Sequence, residues 1–221
     1  MTDTGATPNL RELNKRRTRE AISHAATRLF IERGFDRTTI AEVAAAAGVS
    51  KMTVTNHFPR KEDLFFDLHE ELVVRLARTV AERTPGESAL AALRRDCLAG
   101  LDRHDPRLGF SGPDFAGTIA ESPALGARFR ELHEQSEAAL AEALAESVHT
   151  PPADPGEGVD FESRVAAALL AAVDRAVAAE VFRRVLAGEE HGAIAAAVRP
   201  SALRAFDRLE GALGSYAVRE E

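Results

Sequence analysis

The sequence predicts an all-α fold of about nine helices. Three observations point that way. Val, Ile, Thr and aromatic residues never alternate with polar ones over a strand's length. Alanine, leucine, glutamate and arginine dominate, and apolar residues recur at helical spacing. Glycine, proline and cap-forming residues punctuate the chain between those stretches.

Residues 1–12 read as a disordered tail. The first helix, residues 13–33, carries an apolar stripe of Ile22, Ala25, Ala26, Leu29 and Phe30, and Gly34 ends it. "TIAE" (39–42) is a capping box that starts the second helix, with Ile40, Val43, Ala44 and Ala47 on its buried face. Gly48 breaks the chain. Ser50 then caps a short third helix, "KMTVTNHF", and Val49 and Val54 form a hydrophobic staple across the cap. Pro59 ends it. The fourth helix is predicted over residues 60–83, with Leu64, Leu68, Leu72, Val73 and Leu76 inward. A fifth follows the "TPGES" turn and runs to residue 103. The broken loop "HDPRLGFSGPDF" leads to a short sixth helix at 114–121, and "SPAL" opens a seventh that extends to 148. "HTPPADPGEG" (149–158) is the clearest linker. The eighth helix spans 160–187. "GEEHGAI" interrupts the chain, and the ninth helix spans 200–217. Domains are expected at 13–60 and 61–221.

A helix, a short glycine turn and a second helix make the helix-turn-helix pattern, whose second helix enters the DNA major groove. The third helix here is too short to stand alone. Val49, Val54 and Phe58 must hold it, which leaves Lys51, Met52, Thr53, Thr55, Asn56 and His57 outside. Such side chains can meet base edges or phosphates. A surface helix with no partner would look similar, so the pattern alone leaves both open. Charge is distributed to match. Net charge is −7, but residues 1–65 carry 11 basic against 8 acidic side chains, and the remainder 17 against 27.

The block "TTIAEVAAAAGVSKMTVTNHFPRKEDLF" resembles the TetR-family helix-turn-helix signature. Its marks are paired threonines, a small-residue helix, Gly-Val-Ser, a threonine three positions on, an aromatic closing the helix, and Lys-Glu-x-Leu-Phe. The match covers residues 16–65, and the rest of the chain is similar only in architecture. The resemblance implies phosphate contacts from Thr39, Thr53 and Lys61, base contacts from Lys51, Met52, Thr55 and Asn56, and a backbone contact from His57. Two departures stand out. Thr55 occupies a position where the family usually has tyrosine, and Ala41 one that is often basic or polar. Direct base readout is then thin, and DNA shape carries more of the specificity. Arg16, Arg17 and Arg19 are either phosphate or minor-groove contacts or a solvated helix start.

The resemblance also implies a homodimer on a palindromic operator and an effector pocket among helices four to eight. Helix eight is apolar nearly all round, through Val165, Ala168, Leu169, Ala172, Val173, Ala176, Val177 and Val181. Helix nine carries Leu203, Phe206, Leu209, Leu213 and Tyr216 along one face. Both can serve a twofold mate, the internal core, or both at once. Candidate pocket residues are Phe66, Cys97, Leu101, Leu108, Phe110, Phe115, Ile119, Phe129 and His133. The expected ligand is small and mostly apolar. The layout "DPRL…SPAL…RFREL" resembles a subclass of actinobacterial regulators that sense acyl-coenzyme A thioesters.

Other classes find no support. There is one cysteine, no His-x-x-x-His or Cys-x-x-Cys, no glycine-rich phosphate loop and no Gly-x-Ser-x-Gly elbow. No enzyme, metal or cofactor is expected. The longest apolar run, "VAAALLAAV", is about half of a membrane span. The expectation is a cytoplasmic one-component repressor, released from DNA by its ligand. The alternative is a helical ligand-binding protein without working DNA readout.

Overall fold

A computed structural model describes residues 10–148 and 159–219, and nine α-helices lie among them with no extended strand. The predicted linker at 149–158 falls outside the described residues, as does most of the predicted tail; residues 10–12 are already helical. The described residues form two compact units, one ending at Asp67 and the other beginning at Leu68.

The first unit holds α1 (Leu10–Arg33), α2 (Ile40–Ala46) and α3 (Lys51–His57). The α1 stripe is buried as patterned, at Ile22, Ala25, Ala26, Leu29 and Phe30. Gly34 adopts φ 85° and donates its N–H to the Phe30 carbonyl at 2.9 Å. The capping box forms: Thr39 Oγ1 accepts from the Glu42 N–H at 3.3 Å, and the Glu42 carboxylate accepts from the Thr39 N–H at 2.8 Å. Gly48, at φ 68°, makes the turn into α3.

The predicted fourth helix is interrupted. Residues Glu62–Leu64 form one 3-10 turn, and α4 begins only at His69 and runs to Ala81. Leu64 and Phe65 are both buried in the first unit, and Phe65 packs on Phe30 and Phe35 with ring centroids 6.0 and 6.4 Å away. Leu76 and Val80 belong to the core of the second. No residue between Phe65 and Arg75 is buried, so neither core holds this stretch in one straight helix.

The second unit contains α4, α5 (Ala89–Asp102), α6 (Pro113–Glu121), α7 (Pro123–Ser147), α8 (Phe161–Leu186) and α9 (His191–Leu213). Ser88, Ser122 and Asp160 cap α5, α7 and α8 through side-chain oxygens. The ninth helix starts nine residues before the predicted proline start, and Pro200 lies inside it. The buried stripe Ile194, Val198, Ala202 and Phe206 runs unbroken past the proline. Ala196 and Pro200 are exposed, so water can satisfy the carbonyl that proline deprives of a donor. Before α6, Gly109 takes φ 92°; a Cβ there would sit 2.9 Å from the Ala178 carbonyl oxygen of α8.

The core joins Leu76, Leu93, Cys97, Leu101, Phe110, Leu140, Leu170, Val181 and Ile194 with their neighbours. A guanidinium sits among them. Arg75 of α4 donates Nη1 to Asp96 of α5 at 2.5 Å and Nη2 to Asp174 of α8. Burial pulls the Arg75 pKa down, but Asp174 and Asp96 outweigh it and raise it. Its Nε has no hydrogen-bond partner among the described residues.

Removing one member of a buried pair strands the other, which costs about 3–5 kcal/mol. Asp174→Ala should therefore lower stability by about that amount, and Asp96→Ala by less, because the Asp96 side chain is 23% exposed against 9% for Asp174. Urea denaturation of the two variants checks the order.

Candidate functional site

Helix α3 has seven residues and is capped by Ser50 Oγ, which accepts the Thr53 N–H at 3.0 Å. Two turns do not hold themselves together in water. Val54 and Phe58 are fully buried behind the helix, and each contributes about 2 kcal/mol by leaving water. Arg19 of α1 closes the far end. Its Nη1 donates to the His57 carbonyl at 2.8 Å, its Nη2 to the Asp67 carbonyl at 3.3 Å, and its guanidinium lies 4.3 Å from the Phe58 ring centroid. A cation at a helix's carboxyl end is also favoured by the helix dipole.

The predicted DNA-facing residues fall into groups. Lys51, Met52 and Asn56 are exposed, and Thr53, Thr55 and His57 are half-exposed, all on α3. Thr55 Oγ1 donates to the Met52 carbonyl at 3.1 Å and lies 3.3 Å from that of Lys51. The Thr53 hydroxyl lies 2.8 Å from that of Ser50. Burial, with Lys15 and Arg19 nearby, lowers the His57 pKa from its ordinary value. Thr39 gives both its N–H and its hydroxyl to Glu42, each at 2.8 Å. Lys61 donates to the Phe35 carbonyl at 2.6 Å and rests 4.3 Å from the Phe35 ring centroid. Arg16 pairs with Glu20 at 3.2 Å, while Arg17 is exposed without an ion pair among the described residues. The anchoring use of Arg19 escapes sequence inspection. The available signal is its place three residues before Ile22, which puts it on α1's buried face.

The predicted pocket residues are divided between the two units. Phe66 belongs to the first unit and packs edge-on against Phe65 at 5.4 Å. Cys97, Leu101, Leu108 and Phe110 are buried in the core of the second. Ile119 is buried on α6, and Phe115 is half-exposed there. Phe129 and His133 stack edge-to-face at 4.5 Å on α7. Burial lowers the His133 pKa, partly opposed by Asp174. A separate cavity of about 230 Å³ is lined by Ser111, Pro113, Val185, Gly188, Glu189, Glu190 and His191, none of them predicted.

Comparison with known proteins settles the lineage. Residues 22–68 match the model for bacterial regulatory proteins of the tetR family. The chain is 30% identical over 188 residues to the transcriptional regulator TcmR of Streptomyces glaucescens, covering 80% of this chain and 78% of TcmR. This chain belongs to the TetR family. It is 36% identical over 94 residues to the transcriptional repressor AcnR of Corynebacterium diphtheriae, covering 42% of this chain and 46% of that one. Its fold is shared with NalD of Pseudomonas aeruginosa, the secondary repressor of the MexAB-OprM multidrug efflux pump. That comparison gives a TM-score of 0.53 at 20% identity and covers 86% of this chain and 97% of NalD. The TetR-family chain described here is a DNA-binding transcriptional regulator, and α2–turn–α3 is its helix-turn-helix. Among the described residues, no helix is long and apolar enough to cross a membrane.

Two predictions follow the geometry. Arg19→Ala should cost about 1–2 kcal/mol of stability and weaken DNA binding with no change in salt dependence. Loss of a phosphate contact would instead reduce the slope of log K against log salt by about one. A salt titration of both proteins decides between these roles. Burial pushes the Cys97 thiol up to about 12, with Asp174 and Asp96 adding to the rise and Arg75 opposing it. An unfolded cysteine ionises near pH ~8.5. The native state keeps its proton longer, so this group's stabilisation is intact below that pH and is lost as pH rises toward about 12. The stability advantage of wild type over Cys97→Ala should shrink accordingly in urea titrations at increasing pH.

Proposed function

We propose that this regulator is a repressor that binds a palindromic operator as a homodimer and leaves it when a small ligand enters the helical second unit. One observation carries the DNA half of the proposal. A helix too short to persist alone is held by Val54, Phe58 and Arg19, and presents Lys51, Met52 and Asn56 outward. That arrangement makes sense when the outward face has a partner. Thr53, Thr55, His57 and the start of α2 at Thr39 complete the contact, with Lys61, Arg16 and Arg17 as flanking charge.

The dimer is assigned to the exposed sides of α8 and α9. Phe161, Val165 and Leu169 follow one another at four-residue spacing on α8 and remain exposed, with Ala172 and Ala176 continuing the line. A twofold mate placed there would bury them and set two copies of α3 on successive major grooves. The ligand is assigned to the body formed by α4 to α8, near Phe115, Ile119, Phe129 and His133. An acyl-coenzyme A thioester is the class its loop layout resembles. A ligand there releases the repressor only through different affinity for its DNA-bound and free states. The protein works in the cytoplasm and carries out no chemistry.

The test uses the purified protein and DNA from upstream of its own coding region. Binding should be tight at low salt and fall with a log–log slope of about −0.9 per phosphate contacted. Asn56→Ala should cost about 1–3 kcal/mol in binding with folding intact. Absence of binding to any such fragment at low salt would instead favour a ligand-binding protein that has lost DNA readout.

A further inference from the structure

We infer that α3 recognises thymine methyl groups, with Met52 and the Thr55 methyl as the contacting surface and Asn56 as the adenine reader beside them. The inference rests on α3 being the helix that enters the major groove. Met52 is 69% exposed, a large apolar side chain on a face otherwise built from polar groups. Thr55 lies three residues on and Asn56 four, so the three adjoin on one face. The Thr55 hydroxyl proton is committed to the helix's own backbone, at 3.1 Å from the Met52 carbonyl. That leaves its methyl, and an oxygen that can only accept, to meet a partner. Met52 is exposed and Thr55 half-exposed, so together they offer a small apolar surface to a partner.

The major groove offers one apolar group, the C5 methyl of thymine. Asn56 is exposed, and its side chain makes no hydrogen bond among the described residues. Its amide presents a donor beside an acceptor, the complement of adenine N7 and N6. The exposed face of α3 carries no arginine for bidentate contact with guanine; Lys51 is its one cation. The half-site under Met52, Thr55 and Asn56 is therefore composed of adjacent A·T pairs. Specificity here comes from named side chains in addition to DNA shape.

The experiment selects duplexes from a random-sequence pool with the full-length protein, then resynthesises the recovered site with deoxyuridine replacing each thymidine in turn. Uracil lacks only the methyl. Replacement at the contacted positions should weaken binding about fourfold per methyl. In Met52→Ala, and in Thr55→Ser at its own position, uracil and thymine duplexes should bind equally. Met52 is exposed, so its substitution leaves the core untouched. A recovered half-site with G·C pairs at the contacted positions overturns the inference. So does a uracil effect that is absent, or one that persists in both variants and therefore reports duplex stiffness. A pool that yields no bound duplex at low salt overturns both this inference and the DNA-binding role beneath it.

Discussion

The polar face of α3 exists because Phe58 is buried behind it. Two helical turns cannot offset the entropy of their own ordering, so the order is imported from α1 through an aromatic ring and a guanidinium. Arg19 covers that ring and satisfies the carbonyl end of α3. Lys61 treats Phe35 in the same way, ring and carbonyl together. Two cations that charge counting assigns to the surface are thus engaged in holding the fold. Part of the basic excess of the first 65 residues therefore serves the fold as well as any phosphate it meets.

The second unit inverts the arrangement. There the polar groups lie inside and part of the apolar surface lies outside. Arg75, Asp96 and Asp174 meet where α4, α5 and α8 cross, and burial raises the pKa of Cys97 and lowers that of His133. Helix α8 carries both characters. One side brings Asp174 and Val177 to the core, while the other leaves Phe161, Val165 and Leu169 uncovered. A helix apolar nearly all round in sequence is, in three dimensions, a helix with two different neighbours to satisfy.

Local devices were legible in the sequence because each is written in four or five consecutive residues. The capping box at Thr39–Glu42, the Ser50 cap and the left-handed glycines at 34 and 48 are of this kind. Features that depend on remote partners were not. The break after Leu64 falls in a stretch, residues 66–74, that neither core buries. The passage of α9 through Pro200 comes from a buried stripe on the opposite side, which outweighs one lost hydrogen bond. The inward turn of Arg19 and Lys61 depends on Phe58 and Phe35, which α3 and the loop after α1 bring within reach. The charge cluster left a faint trace: Asp174 interrupts the chain's longest apolar run, where an acidic residue with no partner would be costly. The pocket candidates have in common only that they are mostly apolar or ring-bearing, and that property describes core and cavity lining alike.

The cluster around Arg75 also bears on how this chain can change over generations. Its three members come from helices far apart in sequence; Arg75 and Asp174 are separated by 99 positions. Replacing the whole group with well-packed apolar side chains is often neutral or favourable. Each single step toward that state leaves the remaining buried charges unbalanced. The route is a valley, and the energies of its steps do not add. Arg75, Asp96 and Asp174 are therefore bound to one another as substitutions, and drift at one is possible only after a compensating change at another.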